Sequence, residues 1–260
     1  MGESLAFYKD PERYDLTTGV MSGPEIVDFY RGCAVRYGGP VLELATGTGR
    51  LAIPIARDGL EVVGLDSSPE MLSRANEKAR AACTSVTWVH ADMRSFDLGR
   101  QFQFIFIASN SLSHLYSRAD LEAFLACVRR HMSQTARFVL EVFNPSLALL
   151  ARPPDQRTPM STFTDTRSGI QVSISKTIQY DSASQISRET WYFRDESTGE
   201  EEAVPLHLRM FFPQEIDALL YYNGFHTEEK FGDYEERPFD HSSRKQIIMC
   251  VRLSPSSSTA

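Results

Sequence analysis

Residues 41–66 read VLELATGTGRLAIPIARDGLEVVGLD. A short apolar run carries one acid, Glu43, and opens into a glycine-bearing turn, Ala45-Thr46-Gly47-Thr48-Gly49. A brief helical stretch follows and stops at Gly59; its Pro54 is compatible with a helix only in the first turn. A second apolar run ends on Asp66. Strand, glycine turn, helix and strand in this order make a βαβ unit.

The same alternation extends on both sides. Upstream, GPEIVDFYRGCAVRY (23–37) has apolar residues near helical spacing, with Pro24 suited to a first turn. Downstream, SSPEMLSRANEKARAA is predicted as a helix with Ser68 as N-cap and Pro69 at its first position. VTWVHAD and FQFIFIASN are predicted as strands three and four. SRADLEAFLACVRRHM is predicted as a helix opened by a Ser117/Asp120 capping pattern, and RFVLEVFN as strand five. Continuously apolar strands that alternate with helices imply a parallel sheet covered on both faces.

After Pro145 the texture changes. GIQVSISKTIQY, QISRETWYFRD and AVPLHLRMFF alternate apolar and polar residues between turn-like segments, which predicts a three-stranded antiparallel insertion. In the third run Val204, Leu206, Leu208, Met210 and Phe212 form the expected core face, with His207 and Arg209 on the other. A helix, PQEIDALLYYNGF, and two strands, FHTEEKFG and KQIIMCV, complete the chain. The expected fold is α/β: a doubly wound, Rossmann-like sheet of seven strands with an antiparallel β insertion after strand five. The expected divisions are 1–145 (N-terminal cap segment and cofactor half of the core), 146–212 (insertion, a substrate cap or dimer arm), 213–253 (completion of the core) and 254–260 (a disordered tail).

Composition bounds the function. The 260 residues are 42% hydrophobic and 23% charged, ordinary for a chain that buries a full core. The net charge of -7, without a Lys/Arg cluster, argues against a nucleic-acid partner. The four cysteines lack CxxC pairing and read as reduced thiols of a cytoplasmic protein. The start lacks the apolar core of a secretory signal, and no apolar run approaches the roughly 20 residues of a membrane span. No spacing of His, Cys and acids suggests a metal.

Gly47-Thr48-Gly49-Arg50-Leu51-Ala52 fits the dinucleotide pattern G-x-G-x-x-G/A, and Asp66 lies about 20 residues beyond, where an acid binds ribose hydroxyls. Together they indicate adenosine at the carboxyl ends of the strands, without separating NAD from S-adenosylmethionine. Three features separate them. Glu43, before the glycines, repels a pyrophosphate and attracts the amino group of a methionine moiety. Asp92 ends the third strand, placed to accept a hydrogen bond from an adenine amino group. No second glycine loop or hydride-transfer constellation follows.

VLELATGTGRLAIPIA, VVGLDSSPEML, VHADMRSF and FIFIASNSLSHL, in this order and spacing, resemble class I S-adenosylmethionine-dependent methyltransferases. The chain is most similar to the small-molecule enzymes related to glycine N-methyltransferase and aminosugar N,N-dimethyltransferases. Their Asn-Ser-x-x-His step after strand four is matched by Asn110-Ser111-Leu112-Ser113-His114. Their insertion is matched near 160–212, and their L-x-F-x-x-x-E-x-x-x-L-L-x-x-x-G-F stretch by LRMFFPQEIDALLYYNGF. Ala45 stands where the family usually has its first loop glycine, and Thr46 where cysteine is frequent. Alanine fits there with an ordinary φ, so binding is expected to survive.

The resemblance implies S-adenosyl-L-methionine as cofactor, a small-molecule acceptor and the following roles. Ala45, Gly47, Thr48 and Gly49 form the loop, its glycines allowing close backbone approach. Asp66, with Ser67 beside it, takes the ribose; Met71 packs on the adenine, which Asp92 and Met93 contact. Asn110 and His114 lie beside the transferred methyl group, and His114, with a reference pKa near neutrality, orients the cofactor or takes the acceptor's proton. A tyrosine of the N-terminal segment closes over the cofactor in related enzymes; Tyr14 is the better match and Tyr8 the neighbour that meets substrate. Tyr180, Trp191, His207 and Arg209 are the candidate acceptor residues of the insertion. Glu141, an acid inside an apolar strand, is costly to bury unpaired and is therefore a candidate to bind a cationic amine.

These residues predict in-line methyl transfer to a small molecule, with an amine nitrogen as the expected acceptor because a neutral amine needs only mild base help. Transfer to carbon or oxygen of an aromatic compound is the alternative. An NAD-dependent oxidoreductase and a non-catalytic cofactor-binding protein are the readings from other classes, and a homodimer through the insertion is a further possibility. A nucleic-acid methyltransferase is disfavoured by charge and by SNSL standing where a D/N-P-P-Y step belongs.

Overall fold

The computed structural model describes residues 3–253, so the tail expected at 254–260 lies outside the described residues. In chain order the helices are α1 (Pro11–Met21), α2 (Glu25–Tyr37), α3 (Ala52–Arg57), α4 (Pro69–Ala81), α5 (Arg118–His131), α6 (Leu147–Leu150) and α7 (Pro213–Tyr222). The strands are β1 (Val41–Leu44), β2 (Val62–Asp66), β3 (Thr87–His90), β4 (Phe102–Ile107), β5 (Met132–Phe143), β6 (Thr158–Thr164), β7 (Gln171–Asp181), β8 (Ile186–Asp195), β9 (Glu201–Arg209), β10 (Phe225–Phe231) and β11 (Lys245–Arg252). They divide between two compact units: Glu25–Asn144 with the described part of Phe211–Ala260, and the described part of Met1–Pro24 with Pro145–Met210.

The larger unit is built on a seven-stranded sheet of order β10-β11-β5-β4-β1-β2-β3. The strands from β3 through β5 run parallel, and β11 pairs antiparallel with both β5 and β10. All four residues of β1 are buried, because alternate side chains serve two different cores. Leu42 and Leu44 point into a cluster shared with Leu121, Phe124 and Val128 of α5 and Ile216 and Leu220 of α7. Val41 points the other way, into a cluster shared with Ile26, Tyr30 and Ala34 of α2 and Ile55 of α3. This is the doubly wound arrangement expected from the sequence.

The helix starts follow the local chemistry. Ser68 Oγ accepts from Met71 N at 3.2 Å ahead of Pro69, and Ser117 Oγ accepts from Asp120 N at 3.0 Å while donating to Asp120 Oδ2 at 2.6 Å. Pro54 sits in the first turn of α3, where its missing N–H costs nothing. Near the edge of this unit the fully buried Gln246 Nε2 donates to Phe211 O at 2.9 Å and to Phe143 O at 3.4 Å. One amide thereby holds together the residues next to the points where the chain leaves this unit and re-enters it.

The smaller unit corrects the sequence reading in three respects. Its sheet has four strands, in the order β6-β7-β8-β9, not three. The added strand, TPMSTFT, buries only Phe163 and has no clean alternation, so no period-2 signal marked it. Pro159 is tolerated because β6 is an edge strand; Pro205 lies in β9, the other edge. Second, the N-terminal segment groups with this sheet and not with the first half of the core. It is helical: Asp10 accepts from Arg13 N at 3.0 Å, Pro11 starts α1, and Phe7 packs its ring 5.4 Å from Trp191. Third, β9 ends at Arg209, and Phe212 leaves the expected core face to precede α7. Arg209, placed outward by alternation, is buried.

Candidate functional site

The carboxyl ends of β1, β2, β3 and β4 gather the residues that the sequence singled out in the larger unit, as expected of ligand sites in open α/β sheets. The turn after β1 is laced to β2. Thr46 N donates to Leu65 O at 2.9 Å, Gly47 N to Asp66 Oδ2 at 2.7 Å, and Gly49 N closes the turn on Thr46 O at 3.0 Å. One expectation for this turn is corrected. Ala45 does not have an ordinary φ: at +54° it occupies the left-handed region, at a cost of about 1–2 kcal/mol for a residue with a Cβ. Gly49, at φ +74°, also has an internal reason to be glycine, since a Cβ there would stand 2.7 Å from the Trp88 ring. Gly64 of β2 is needed likewise, its Cβ position lying 2.6 Å from the same indole. Trp88 and Gly64 escaped the sequence reading because nothing in their spacing links them to the loop. Thr48 is buried, its hydroxyl accepting from Lys78 Nζ at 3.0 Å.

Two acids define the electrostatics of this end. Glu43 is buried beneath the turn and accepts from Thr46 Oγ1 at 2.7 Å and from the backbone of Ala52. Burial dominates, and its carboxyl is pushed up to about 8 although Arg50 nearby favours the ionised form. Asp66 is held by backbone N–H groups, with Ser68 N 2.9 Å from Oδ1 and Gly47 N on Oδ2. Burial still raises its pKa from the ordinary aspartate value. Ser67 is exposed beside it, and its carbonyl meets His90 Nε2 at 3.1 Å. Met71 is buried in the first turn of α4.

After β3, Asp92 is bound by Arg94, which holds its carboxyl below the usual range. Met93 packs against the core cluster that includes α5. After β4 the chain takes two successive left-handed residues, Ser109 (φ 54°) and Asn110 (φ 61°), before a 3-10 turn over Ser111–His114. Asn110 Oδ1 accepts from Phe143 N at 2.9 Å and Ser113 Oγ at 3.0 Å. Its Nδ2 is buried and has no hydrogen-bond partner among the described residues, an orphaned donor that a ligand atom can meet. The half-buried His114 departs from the reference value used in the sequence reading. Desolvation pulls its pKa down to about 4, so the imidazole is neutral at physiological pH.

Glu141 is buried but already satisfied. Oε1 accepts from Tyr234 OH at 2.8 Å and Lys245 Nζ at 3.0 Å; Oε2 accepts from Ser109 N at 3.3 Å and Tyr30 OH at 3.4 Å. The cation expected from a ligand is this chain's own Lys245, and the carboxylate anchors the first of the two left-handed residues. Tyr30, Tyr234 and Lys245 escaped the sequence reading because they lie 111, 93 and 104 residues from Glu141.

In the smaller unit Tyr8 and Tyr14 pack with Phe7 and with each other, ring centroids 5.3–5.8 Å apart. Phe7 links them to Trp191, whose Nε1 donates to the buried Glu189 at 2.9 Å, an acid also paired with Lys176 at 2.8 Å. Tyr180 pairs with Ser187 on this same sheet face. His207 and Arg209 pair with Arg188 and Ile186 on the opposite face, so the four candidate acceptor residues of the insertion are not brought together on one surface.

Comparison with known proteins agrees with this geometry. Residues 41–135 match the family model described as a methyltransferase domain. A glycine/sarcosine N-methyltransferase of Aphanothece halophytica is 32% identical over 111 residues, 42% of this chain and 42% of that protein. A dTDP-3-amino-3,6-dideoxy-alpha-D-glucopyranose N,N-dimethyltransferase of Streptomyces fradiae is 33% identical over 101 residues, 39% of this chain and 38% of that protein. The chain thus spans about two fifths of the length of these curated relatives. The solved structure of the CcbJ methyltransferase from Streptomyces caelestis is similar over 89% of this chain and 90% of its own, with a TM-score of 0.78 and 27% identity. Residues 41–135 thus match a methyltransferase domain, the family that the resemblance first drawn from the β1 turn named. Among the described residues no helix is long and apolar enough to cross a membrane.

Proposed function

We propose that this protein transfers a methyl group from S-adenosylmethionine to the amine nitrogen of a small molecule. The observation that carries the reading is the conjunction, at one sheet end, of the buried acid Glu43, the loop-bound acid Asp66 and the orphaned amide of Asn110, within the segment that matches a methyltransferase domain. Bound there, the cofactor supplies an electrophilic methyl group on a sulfonium. Asp66 holds the ribose hydroxyls, Asp92 and Met93 face the adenine, and Glu43 draws the methionine ammonium.

The base available favours nitrogen. So weak a base suits an amine, which attacks through its neutral lone pair and sheds its proton only after transfer, better than an alcohol or phenol, which must lose its proton to attack. The two relatives named above are N-methyltransferases, which supports the same acceptor class. Tyr14 is assigned to the cofactor and to catalysis and Tyr8 to the substrate, as the resemblance implies, and Glu141 is reassigned from ligand binding to positioning Ser109.

Thermal shift with S-adenosylmethionine, S-adenosylhomocysteine and NADH tests the cofactor. Stabilisation by the first two supports the reading, and stabilisation by NADH alone overturns it. Transfer of a labelled methyl group to a panel of amines, amino sugars and phenols tests the acceptor; turnover confined to phenols removes the amine assignment.

A further inference from the structure

Arg94 stands two residues beyond Asp92 and grips it. Its backbone N–H donates to Asp92 Oδ1 at 2.8 Å, Nε donates to both carboxylate oxygens at 3.0 Å, and Nη2 donates to Oδ2 at 2.6 Å. The remaining arm, Nη1, reaches Asp120 Oδ1 at 2.7 Å. Asp120 lies in the first turn of α5, and its other oxygen is held by Ser117. Cys127, also on α5, donates Sγ–H to the Arg94 carbonyl at 3.4 Å. The helix is anchored in turn by Leu121, Phe124 and Leu125, each fully buried.

Asp92 alone is a solvent-facing acid on a turn, its side chain 39% exposed, and such a group samples several rotamers. The guanidinium fork is planar and permanently charged, so it selects one rotamer and keeps the carboxylate ionised. Oδ2 takes Nη2 and a share of Nε, which leaves it a lone pair for one more donor. An ionised oxygen held in this way accepts an N–H and repels a carbonyl oxygen at the same place.

We propose that Arg94 is the positioning residue for nucleobase recognition: bridged to Asp120, it holds the Asp92 carboxylate to accept the amino group of adenine and reject a 6-oxo purine. The proposal rests on the reading that Asp92 meets the adenine amino group.

The test compares S-adenosylhomocysteine with S-inosylhomocysteine, in which a carbonyl replaces that amino group, by calorimetry on the full chain. Wild type is expected to prefer the adenine ligand by about 100-fold. Arg94→Met is expected to bind it three- to tenfold weaker and to prefer it by less than about tenfold, because a loose carboxylate no longer excludes the carbonyl. Arg94→Lys, a point charge without the fork, gives an intermediate ratio. Asp92→Ala removes the preference. If Arg94→Met weakens both ligands equally and keeps the full ratio while Asp92→Ala loses it, the arginine is merely structural and the proposal fails. If Asp92→Ala also keeps the ratio, the adenine reading itself is wrong and the proposal falls with it.

Discussion

Glu43 and Glu141 make a controlled pair. Both are acids inside apolar strands, on the same face of the same sheet, at carboxyl ends, and both are at most 3% exposed. Glu141 has donors on both oxygens, among them the ammonium of Lys245, and a backbone N–H that it keeps in place. Glu43 has a hydroxyl and a backbone donor but, among the described residues, no ion pair with a cation, and burial pushes its carboxyl up to about 8. The same residue type in the same setting is therefore satisfied by the fold in one case and left short of a positive charge in the other. A buried acid kept short of its cation is suited to a cationic ligand; one already paired is part of the frame.

The largest expected effect tests the paired acid. Lys245→Met leaves Glu141 without its cation and should cost about 3–5 kcal/mol in urea unfolding. A loss below about 1 kcal/mol would remove Glu141 from the frame and return it to the ligand. Next, His114→Ala should lower kcat about 100-fold with the cofactor Kd little changed. In wild type the contribution of His114 should hold level through pH 6.5 and decline only toward about 4, because the folded imidazole is neutral above that value. An inflection near 6.5 that His114→Ala abolishes would contradict the desolvated histidine.

Glu43→Gln addresses the unpaired acid and should weaken S-adenosylmethionine about tenfold at pH 8, read by calorimetry. Wild-type binding should release a proton below pH 8, and the variant should not. The folded carboxyl binds its proton more tightly than the unfolded one. Wild-type stability should therefore fall as pH rises from about 4.5 to about 8, and the variant should lack that fall. If the variant binds the cofactor as wild type does at every pH, the contrast with Glu141 has no functional meaning. The smallest effect concerns the turn above Glu43. Ala45→Gly relieves a left-handed alanine and should raise stability by about 1 kcal/mol with the cofactor Kd unchanged.

The amino-acid sequence by itself determined the parallel sheet, the helix starts at Ser68 and Ser117 and the sheet end at which the candidate site lies. Their causes are local: apolar strands of period one, caps within three residues, and glycines within a five-residue turn. Glu43, Asp66 and Asn110 were legible for the same reason, each standing at the end of a strand whose apolar run marks it. Tertiary structure decided everything that depends on partners far along the chain. It paired Glu141 with Lys245, set Trp88 against Gly49 and Gly64, added β6 as an edge strand too irregular to announce itself, and grouped the N-terminal helix with the insertion. It also decided protonation. A sequence assigns His114 and Glu43 their reference pKa values, and only the removal of water around each side chain moves one down to about 4 and the other up to about 8.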